Sequence, residues 1–236
     1  YTAEGCSSAA TSTITVNPIP VILVTSNSIC YGESATISAS GASTYLWNNG
    51  KNTASITESP ANTTSYFVEG TSEAGCKSSG TGVILVNPLP NISVNSKSIC
   101  PGESATLMAS GANRYVWSTG NESNIITMSP KESTTYKVSG WSIYNCVNEA
   151  SGSIVIYNKP VAAFIATPSE TSIFDPEIEF NNKSSDDVVY WNWNFGDDNN
   201  TDSNVENPVH RYPEVANSYS ITLIVYNQHR CLDTTE

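Results

Sequence analysis

Six cysteines are the residues whose type and spacing point most directly to chemistry in this 236-residue sequence. They are Cys6, Cys30, Cys76, Cys100, Cys146 and Cys231. A zinc site is a poor interpretation, because no Cys-x-x-Cys pair occurs and His210 and His229 are the only histidines. The cysteines therefore favour disulfide chemistry, and disulfides place the chain in an oxidising compartment.

An oxygen-rich segment near the C-terminal end is the second candidate for chemistry. Asp197, Asp198, Asn199, Asn200 and Asp202 place five oxygen-bearing side chains within six residues there, and hard cations such as Ca²⁺ prefer oxygen ligands of this kind. The spacing is not that of an EF-hand, and a hydrogen-bonded Asp turn needs no ion. Calcium is thus the one cofactor candidate, with an ion-free turn as the alternative.

The motifs of common catalytic sites are missing from the sequence. There is no Gly-x-Ser-x-Gly turn and no His-Glu-x-x-His helix. The neighbouring carboxylates of Asp186 and Asp187 are adjacent in sequence and fit a solvated turn better than two sides of a glycosidase cleft. We therefore expect the chain not to be an enzyme.

Charge and hydropathy exclude several partners. The chain has 10 Lys+Arg against 22 Asp+Glu, a net charge of −12, which disfavours nucleic acid and anionic membrane surfaces. No apolar run approaches the ~20 residues of a membrane span, so no membrane insertion is expected. Tyr1 opens no signal sequence, and we expect a removed signal or an internal piece.

A 70-residue repeat organises the chain. Residues 21–90 overlay residues 91–160 without a gap at 31 identical positions of 70, which chance does not produce. Residues 1–20 overlay the end of the same unit. The predicted domains are therefore the end of a truncated repeat at 1–20, two repeats at 21–90 and 91–160, and a different module at 161–236.

The elements that position these residues are short strands. In the repeat, small apolar residues from Ala35 to Ala39 alternate with Ser and Thr, which predicts a strand with one buried face. Trp47 and its counterpart Trp117 fall in the middle of a later strand, where a sandwich core is the better interpretation than a sugar-stacking surface. Asn48-Asn49-Gly50 is a hairpin signal. The fold class is therefore all-β, with sandwich modules joined by proline-containing segments into an extended rod.

The repeat suggests disulfides within each module. A 70-residue sandwich buries little apolar area, so a covalent staple is expected. Cys30 with Cys76 and Cys100 with Cys146 are the natural pairs, and on the chain-entropy model a loop of that length contributes roughly 4 kcal/mol. The partner of Cys6 would precede residue 1, and that of Cys231 is open.

The last module resembles the PKD (polycystic kidney disease) domain family. The resemblance rests on Trp193-Asn194-Phe195-Gly196-Asp197, on His210-Arg211-Tyr212 and on the strand from Ser218 to Asn227. Trp191, Trp193 and Phe195 alternate on one strand face and are core candidates. The family's final strand should run where the sequence stops, so we expect this module's last strand to be incomplete.

The repeats in turn resemble the immunoglobulin-like repeats of very large gliding and cell-surface adhesins of the Bacteroidetes (SprB-like). The residues that carry this resemblance are Ile29-Cys30 followed by Gly32 to Thr36, and Val86-Asn87-Pro88-Leu89-Pro90. The resemblance implies a stalk segment of a secreted, outer-membrane-associated adhesin that supports surface attachment and gliding motility.

Implied partners are other modules of the same long chain, the type IX secretion and gliding machinery, and a surface polysaccharide. The alternative is a set of accessory carbohydrate-binding or spacer modules of a secreted polysaccharide-degrading enzyme, because PKD modules also occur there. That alternative requires exposed, coplanar aromatic side chains.

Overall fold

The computed structural model describes residues 8–197 and 203–236, and the regular elements in those ranges are β-strands. Within the same ranges, no helix is long and apolar enough to cross a membrane. The strands form six small sheets, two for each of three successive groups of strands. The all-β, multiple-sandwich class predicted from the alternating pattern is thereby confirmed.

The first group of strands covers the first repeat. Its strands are β1 (Leu23–Val24), β2 (Asn27–Cys30), β3 (Ala35–Ser40), β4 (Thr44–Trp47), β5 (Ser55–Glu58), β6 (Thr64–Thr71) and β7 (Lys77–Asn87). One sheet has the order β1-β3-β5 and the other β2-β7-β6-β4. The β2–β7 pair is parallel, whereas the pairs β1–β3, β3–β5, β4–β6 and β6–β7 are antiparallel.

The second group repeats this arrangement strand for strand. Its strands are β8 (Ser93–Val94), β9 (Lys97–Ile99), β10 (Ala105–Ser110), β11 (Arg114–Trp117), β12 (Ile125–Met128), β13 (Thr134–Trp141) and β14 (Val147–Ile156). The sheets have the orders β12-β10-β8 and β11-β13-β14-β9, and β9 again runs parallel to β14. Equal sequence patterns therefore give equal topologies.

The inward faces of these strands make one core per repeat. In the first repeat Ile37 and Ile84 are fully buried beside Trp47, whose indole N–H donates to the Thr53 carbonyl at 2.8 Å. In the second, Trp117 donates to the Ser123 carbonyl, also at 2.8 Å. Each tryptophan therefore buries a large apolar surface while its one polar group stays paired.

The hairpin expected at Asn48-Asn49-Gly50 does not form. The segment does turn, and Gly50 has a φ of 84°. However, the strand before it (β4) pairs with β6, and the strand after it (β5) pairs with β3 in the other sheet. The turn therefore carries the chain between the two sheets of the sandwich, because the buried faces of β4 and β5 must both point into the same core.

A glycine makes room for the backbone at the start of each repeat. A Cβ atom on Gly41 would lie 1.9 Å from the Val21 carbonyl oxygen, and one on Gly111 would lie 1.9 Å from the Asn91 carbonyl oxygen. Both glycines also have positive φ values, 101° and 95°. The first residue after each Pro-x-Pro segment, Val21 or Asn91, therefore packs against a backbone position that has room only for a glycine.

The third group forms the last module. Its strands are β15 (Phe164–Thr167), β16 (Glu177–Asn182), β17 (Val188–Asn194), β18 (Val209–Arg211), β19 (Thr222–Asn227) and β20 (Leu232–Thr235). The sheets have the orders β15-β16-β18 and β17-β19-β20. A strand was expected to be incomplete at the end of this module, yet β20 pairs with β19 over four residues. Leu232–Thr235 thus forms an edge strand of this sheet, and the expectation that the strand is incomplete stays a prediction.

An irregularity in β17 decides which aromatic residues enter the last core. The register shifts between Val188 and Tyr190, so Val188 is buried, Tyr190 is exposed, and the inward face resumes at Trp191. Trp193 and Phe195 are buried, and Trp191 is half-buried at the edge of the core. The Trp193 indole N–H donates to the Val205 carbonyl at 2.9 Å.

The contacts group the chain into two compact units. Unit 1 comprises residues 1–90 together with 141–148, and unit 2 comprises residues 91–140 together with 149–236. The loop at 141–148 thus belongs to the second repeat by sequence and to the unit of the first repeat by contact. The disulfide between Cys30 and Cys146 lies within the first unit.

We expect the glycine at the entrance to the second repeat to be more sensitive to substitution than another glycine of similar backbone. Gly111→Ala places a methyl group against the Asn91 carbonyl, whereas Gly120 has a φ of 83° and nothing within 4 Å of its Cβ position. Gly120→Ala should cost about 1 kcal/mol of unfolding free energy from backbone strain alone, and Gly111→Ala about 2 kcal/mol more. Urea unfolding followed by tryptophan fluorescence measures both, and equal losses would contradict the steric explanation.

Candidate functional site

The first cysteine of each repeat lies in a turn built by the residues that follow it. The backbone N–H of Cys30 donates to the Glu33 carboxylate at 2.8 Å, and the N–H of Glu33 returns a bond to the Cys30 carbonyl at 3.0 Å. Gly32 supplies the positive φ of 90° that the turn requires. Cys100 and Glu103 repeat both bonds. The Cys-x-Gly-Glu motif therefore holds a cysteine in a defined position at the end of a strand.

The other cysteines lie in a second kind of turn, which occurs three times. In each, a Ser or Asn four residues earlier donates its N–H to the cysteine carbonyl and accepts the cysteine N–H with its side-chain oxygen. The residue before the cysteine has a φ between 62° and 80°. The three turns are Ser72 to Cys76, Ser142 to Cys146, and Asn227 to Cys231. We call them the five-residue cysteine turns.

Two disulfides join the two kinds of turn. Cys30 is bonded to Cys146 and Cys100 to Cys231, with Cα atoms 5.5 and 5.4 Å apart. Each bond connects the first cysteine of one module with the five-residue cysteine turn of the next module. The predicted pairs Cys30 with Cys76 and Cys100 with Cys146 are therefore wrong, although three of those four residues and Cys231 are disulfide-bonded.

Strand register explains why the cysteines within one repeat cannot meet. Cys30 lies opposite Asn87 at the last position of β7, whereas Cys76 directly precedes Lys77 at the first position. Eleven residues of extended chain span about 36 Å, and a disulfide needs Cα atoms within about 7 Å. The two cysteines of a repeat therefore lie at opposite ends of one long strand.

Cys76 is left with a free thiol, alone among the cysteines in the described part of the chain. Its half-buried side chain lies in a turn with the same hydrogen bonds as those of Cys146 and Cys231. Cys6 lies outside the described residues. The Ser/Asn-x-x-x-Cys spacing of the three turns also precedes Cys30 and Cys100, so the spacing alone does not identify the partner of Cys231.

The candidate metal ligand Asp197 is committed to a neighbour. Its carboxylate is 2.9 Å from Nε2 of His210, and both side chains are almost completely buried. Asp198 and Asp202 lie outside the described residues. Among residues 8–197 and 203–236, no three His, Cys, Asp or Glu side chains form a group that could hold a metal. The Asp197 carboxylate is therefore engaged with His210, and the calcium interpretation of Asp197, Asp198 and Asp202 stays a prediction.

Aromatic rings surround this buried pair. His210 stacks on Phe195 with ring centroids 4.1 Å apart, and Tyr212 meets His210 edge-on at 4.5 Å. The Tyr212 hydroxyl donates to the Phe195 carbonyl at 3.2 Å. Burial, together with the charge of Asp197, raises the pKa of Tyr212 to about 12. The Trp-x-Phe-Gly-Asp and His-x-Tyr motifs thus form one packed and hydrogen-bonded unit that joins β18 to the end of β17.

The tryptophans of the cores are not placed to stack on sugars. Trp47, Trp117 and Trp193 each expose 2% or less of their surface. Trp141 is half-buried and Tyr144 is exposed in the loop that follows it. The core tryptophans therefore serve packing, and exposed aromatic side chains occur both in loops, such as Tyr144, and on strands, such as Phe67 in β6 and Tyr190 in β17.

We expect Asp197→Ala to destabilise the last module by about 1–3 kcal/mol, because it leaves a buried imidazole without its carboxylate partner. Asp186→Ala is the matched control, since Asp186 is exposed and surface substitutions usually change stability by less than about 0.5 kcal/mol. Urea unfolding measures both variants. A loss for Asp197→Ala no larger than that of the control would contradict the structural role of the pair.

The last module matches a known domain family. Residues 157–236 match the family model described as the PKD domain. No curated protein matches the sequence. Among solved structures, titin domains I67–I69 (an E-to-A variant) share 12% identity at a TM-score of 0.42, over 92% of this chain and 97% of that chain.

Two cell-surface proteins are also among the similar structures. The N-terminal eight Ig domains of Down Syndrome Cell Adhesion Molecule share 14% identity at a TM-score of 0.41, over 92% of this chain and 36% of that chain. A Ca²⁺-stabilised, ice-binding adhesin of an Antarctic bacterium shares 10% identity at a TM-score of 0.37, over 92% and 72% of the two chains. Likenesses of this degree carry no information about function.

The module types and the disulfides together define the class of protein. Disulfides persist in oxidising, extracellular environments. The chain is composed of tandem immunoglobulin-like β-sandwich modules followed by a PKD domain, in the manner of extracellular multidomain proteins.

Proposed function

We propose that this chain is a tension-carrying stalk segment of a large secreted cell-surface adhesin. The observation that carries the proposal is the pairing of the disulfides, each of which joins one module to the next. The joint at 87–90 lies within the loop closed by Cys30 and Cys146, and the joint at 158–160 lies within the loop closed by Cys100 and Cys231. Both joints are thus bypassed by a covalent bond.

The two loops overlap, and the overlap shortens the path that a pulling force must follow. Force entering at Cys30 crosses to Cys146, returns along the chain to Cys100, and crosses again to Cys231. The peptide part of this path is the 46 residues between Cys100 and Cys146, although Cys30 and Cys231 are 201 residues apart in sequence. A disulfide within each module would protect that module and leave every joint in the path of the force.

The weak segments of such a chain are its joints and its small cores. A module of about 70 residues has only marginal stability from burial alone, so sustained tension would unfold it and lengthen the molecule several-fold. Cross-links between modules limit that lengthening without requiring a more stable core. This property suits a segment that holds a distal binding region at a distance from the cell.

In its fuller form, the proposal places the adhesin at the outer membrane, with the type IX secretion and gliding machinery as partners and a surface polysaccharide as a candidate ligand. The resemblance of the repeats to Bacteroidetes gliding adhesins supports this form. The proposal assigns no catalytic role to the chain.

Single-molecule stretching between the two termini tests the proposal. At about 3.5 Å per extended residue, the stretch from Cys30 to Cys231 should reach about 160 Å in the oxidised chain and about 700 Å after reduction. The reason is that the disulfides leave only residues 100–146 in the path.

A double variant, Cys100→Ser with Cys231→Ser, is the matched control because it keeps the first cross-link and removes the second. Its path runs through the 85 residues from Cys146 to position 231, so the same stretch should reach about 300 Å. Oxidised and reduced chains of equal final length would refute the tension-carrying role.

A further inference from the structure

The thiol of Cys76 lies in a prepared half-site. Its five-residue cysteine turn has the same bonds as the turns of Cys146 and Cys231, which are both cross-linked. In all three turns, the hydroxyl or amide oxygen of the first residue accepts the cysteine N–H, at 3.1 to 3.3 Å. We propose that Cys76 is a cross-linking site for the first cysteine of another copy of the 70-residue repeat.

One contact of the Cys76 sulfur matches that of its cross-linked counterpart Cys146. The sulfur of Cys146 is 4.0 Å from the Asn87 carbonyl oxygen, and the sulfur of Cys76 is 3.9 Å from the Asn17 carbonyl oxygen. Asn17 and Asn87 are equivalent, because each begins an Asn-Pro-x-Pro segment. The end of a repeat therefore approaches Cys76 as the end of the first repeat approaches Cys146.

Strand pairing identifies what is needed to complete the site. Opposite Asn87, the parallel neighbour in the sheet is Cys30, the residue that bonds to Cys146. A repeat whose last strand ends at Asn17 would, by the same register, place its own first cysteine opposite Asn17. That cysteine would lie beside the Cys76 sulfur, and it would be held there by the Cys-x-Gly-Glu turn.

The reaction is the ordinary oxidation of two thiols. The thiol of Cys76 and the thiol of the incoming first cysteine together lose two protons and two electrons as their S–S bond forms. The electrons reduce a disulfide oxidant, either a thiol–disulfide oxidoreductase in its disulfide form or a small-molecule disulfide, to two thiols. Exchange proceeds through a mixed disulfide, so the half-buried Cys76 thiol must remain accessible until its partner arrives.

The pairing rule selects among the possible partners. Both cross-links of the structure join a first cysteine to a five-residue cysteine turn. Cys6 overlays Cys76 in the repeat and is therefore of the same kind, not the complementary one. The inference concerns the cross-link alone and stands whether or not the chain carries tension in an adhesin.

An extended chain tests the proposal. A copy of residues 21–70 is fused directly before Tyr1, so that the copy and residues 1–20 together make a complete repeat. After oxidation with a glutathione redox buffer, non-reducing peptide mapping should find a bridge between the first cysteine of the copy and Cys76. The rate at which a maleimide labels Cys76 should fall about tenfold or more relative to the original chain.

The same extension with its added first cysteine changed to Ser is the matched control, and there non-reducing peptide mapping should find Cys76 as a free thiol. A bridge between Cys76 and Cys6, or an unchanged labelling rate in a folded extended chain, would overturn the proposal.

A second variant tests the half-site without an added repeat. In Cys30→Ser, Cys146 loses its partner and takes the position that Cys76 has in the original chain. If the two turns are equivalent, maleimide should label Cys146 in the variant at a rate within about tenfold of that of Cys76. A Cys146 thiol that reacts at the rate of an unfolded cysteine would contradict the inference that these turns are prebuilt half-sites.

Discussion

The parallel pairing of β2 with the end of β7 is the constraint on which the covalent structure depends. It places the first cysteine of a repeat opposite Asn87, while the hairpin between β6 and β7 keeps Cys76 at the other end of the same strand. A strand of this length separates the two by about five times the distance that a disulfide spans. The sandwich fold therefore excludes a disulfide within the repeat, and each cysteine can form a disulfide only with a cysteine of a neighbouring module.

Much of the fold could be predicted from the sequence, because a strand with one buried face shows an alternation of apolar and polar residues. The alternation from Ala35 to Ala39, the positions of Trp47 and Trp117, and the change of module after residue 160 all follow from such local patterns. The turn at Asn48-Asn49-Gly50 has local causes as well. The pairing of the next strand, β5, in the other sheet has no local cause, because it depends on which face of the core β5 must cover.

The cysteine partners and the role of Asp197 were beyond local patterns for the same physical reason. Disulfide partners depend on where strand ends lie in space, and 116 residues separate Cys30 from Cys146. The contact of Asp197 with His210 likewise depends on the approach of β18, whose His210 lies thirteen residues further on in the sequence. The Ser/Asn-x-x-x-Cys spacing does not reveal the pairing either, because it precedes Cys30 and Cys100 as well as Cys76, Cys146 and Cys231.

The magnitude of the entropic effect indicates why cross-links between modules differ from staples within them. In the chain-entropy model, a loop of 46 residues contributes about 4 kcal/mol and a loop of 116 residues about 5 kcal/mol. The gain from the longer loop is under about 1 kcal/mol, because the dependence on length is logarithmic. Stability alone would therefore hardly distinguish the two arrangements. What does distinguish them is covalent continuity across the joints, and that difference appears only when the ends of the chain are pulled apart or a joint is cut.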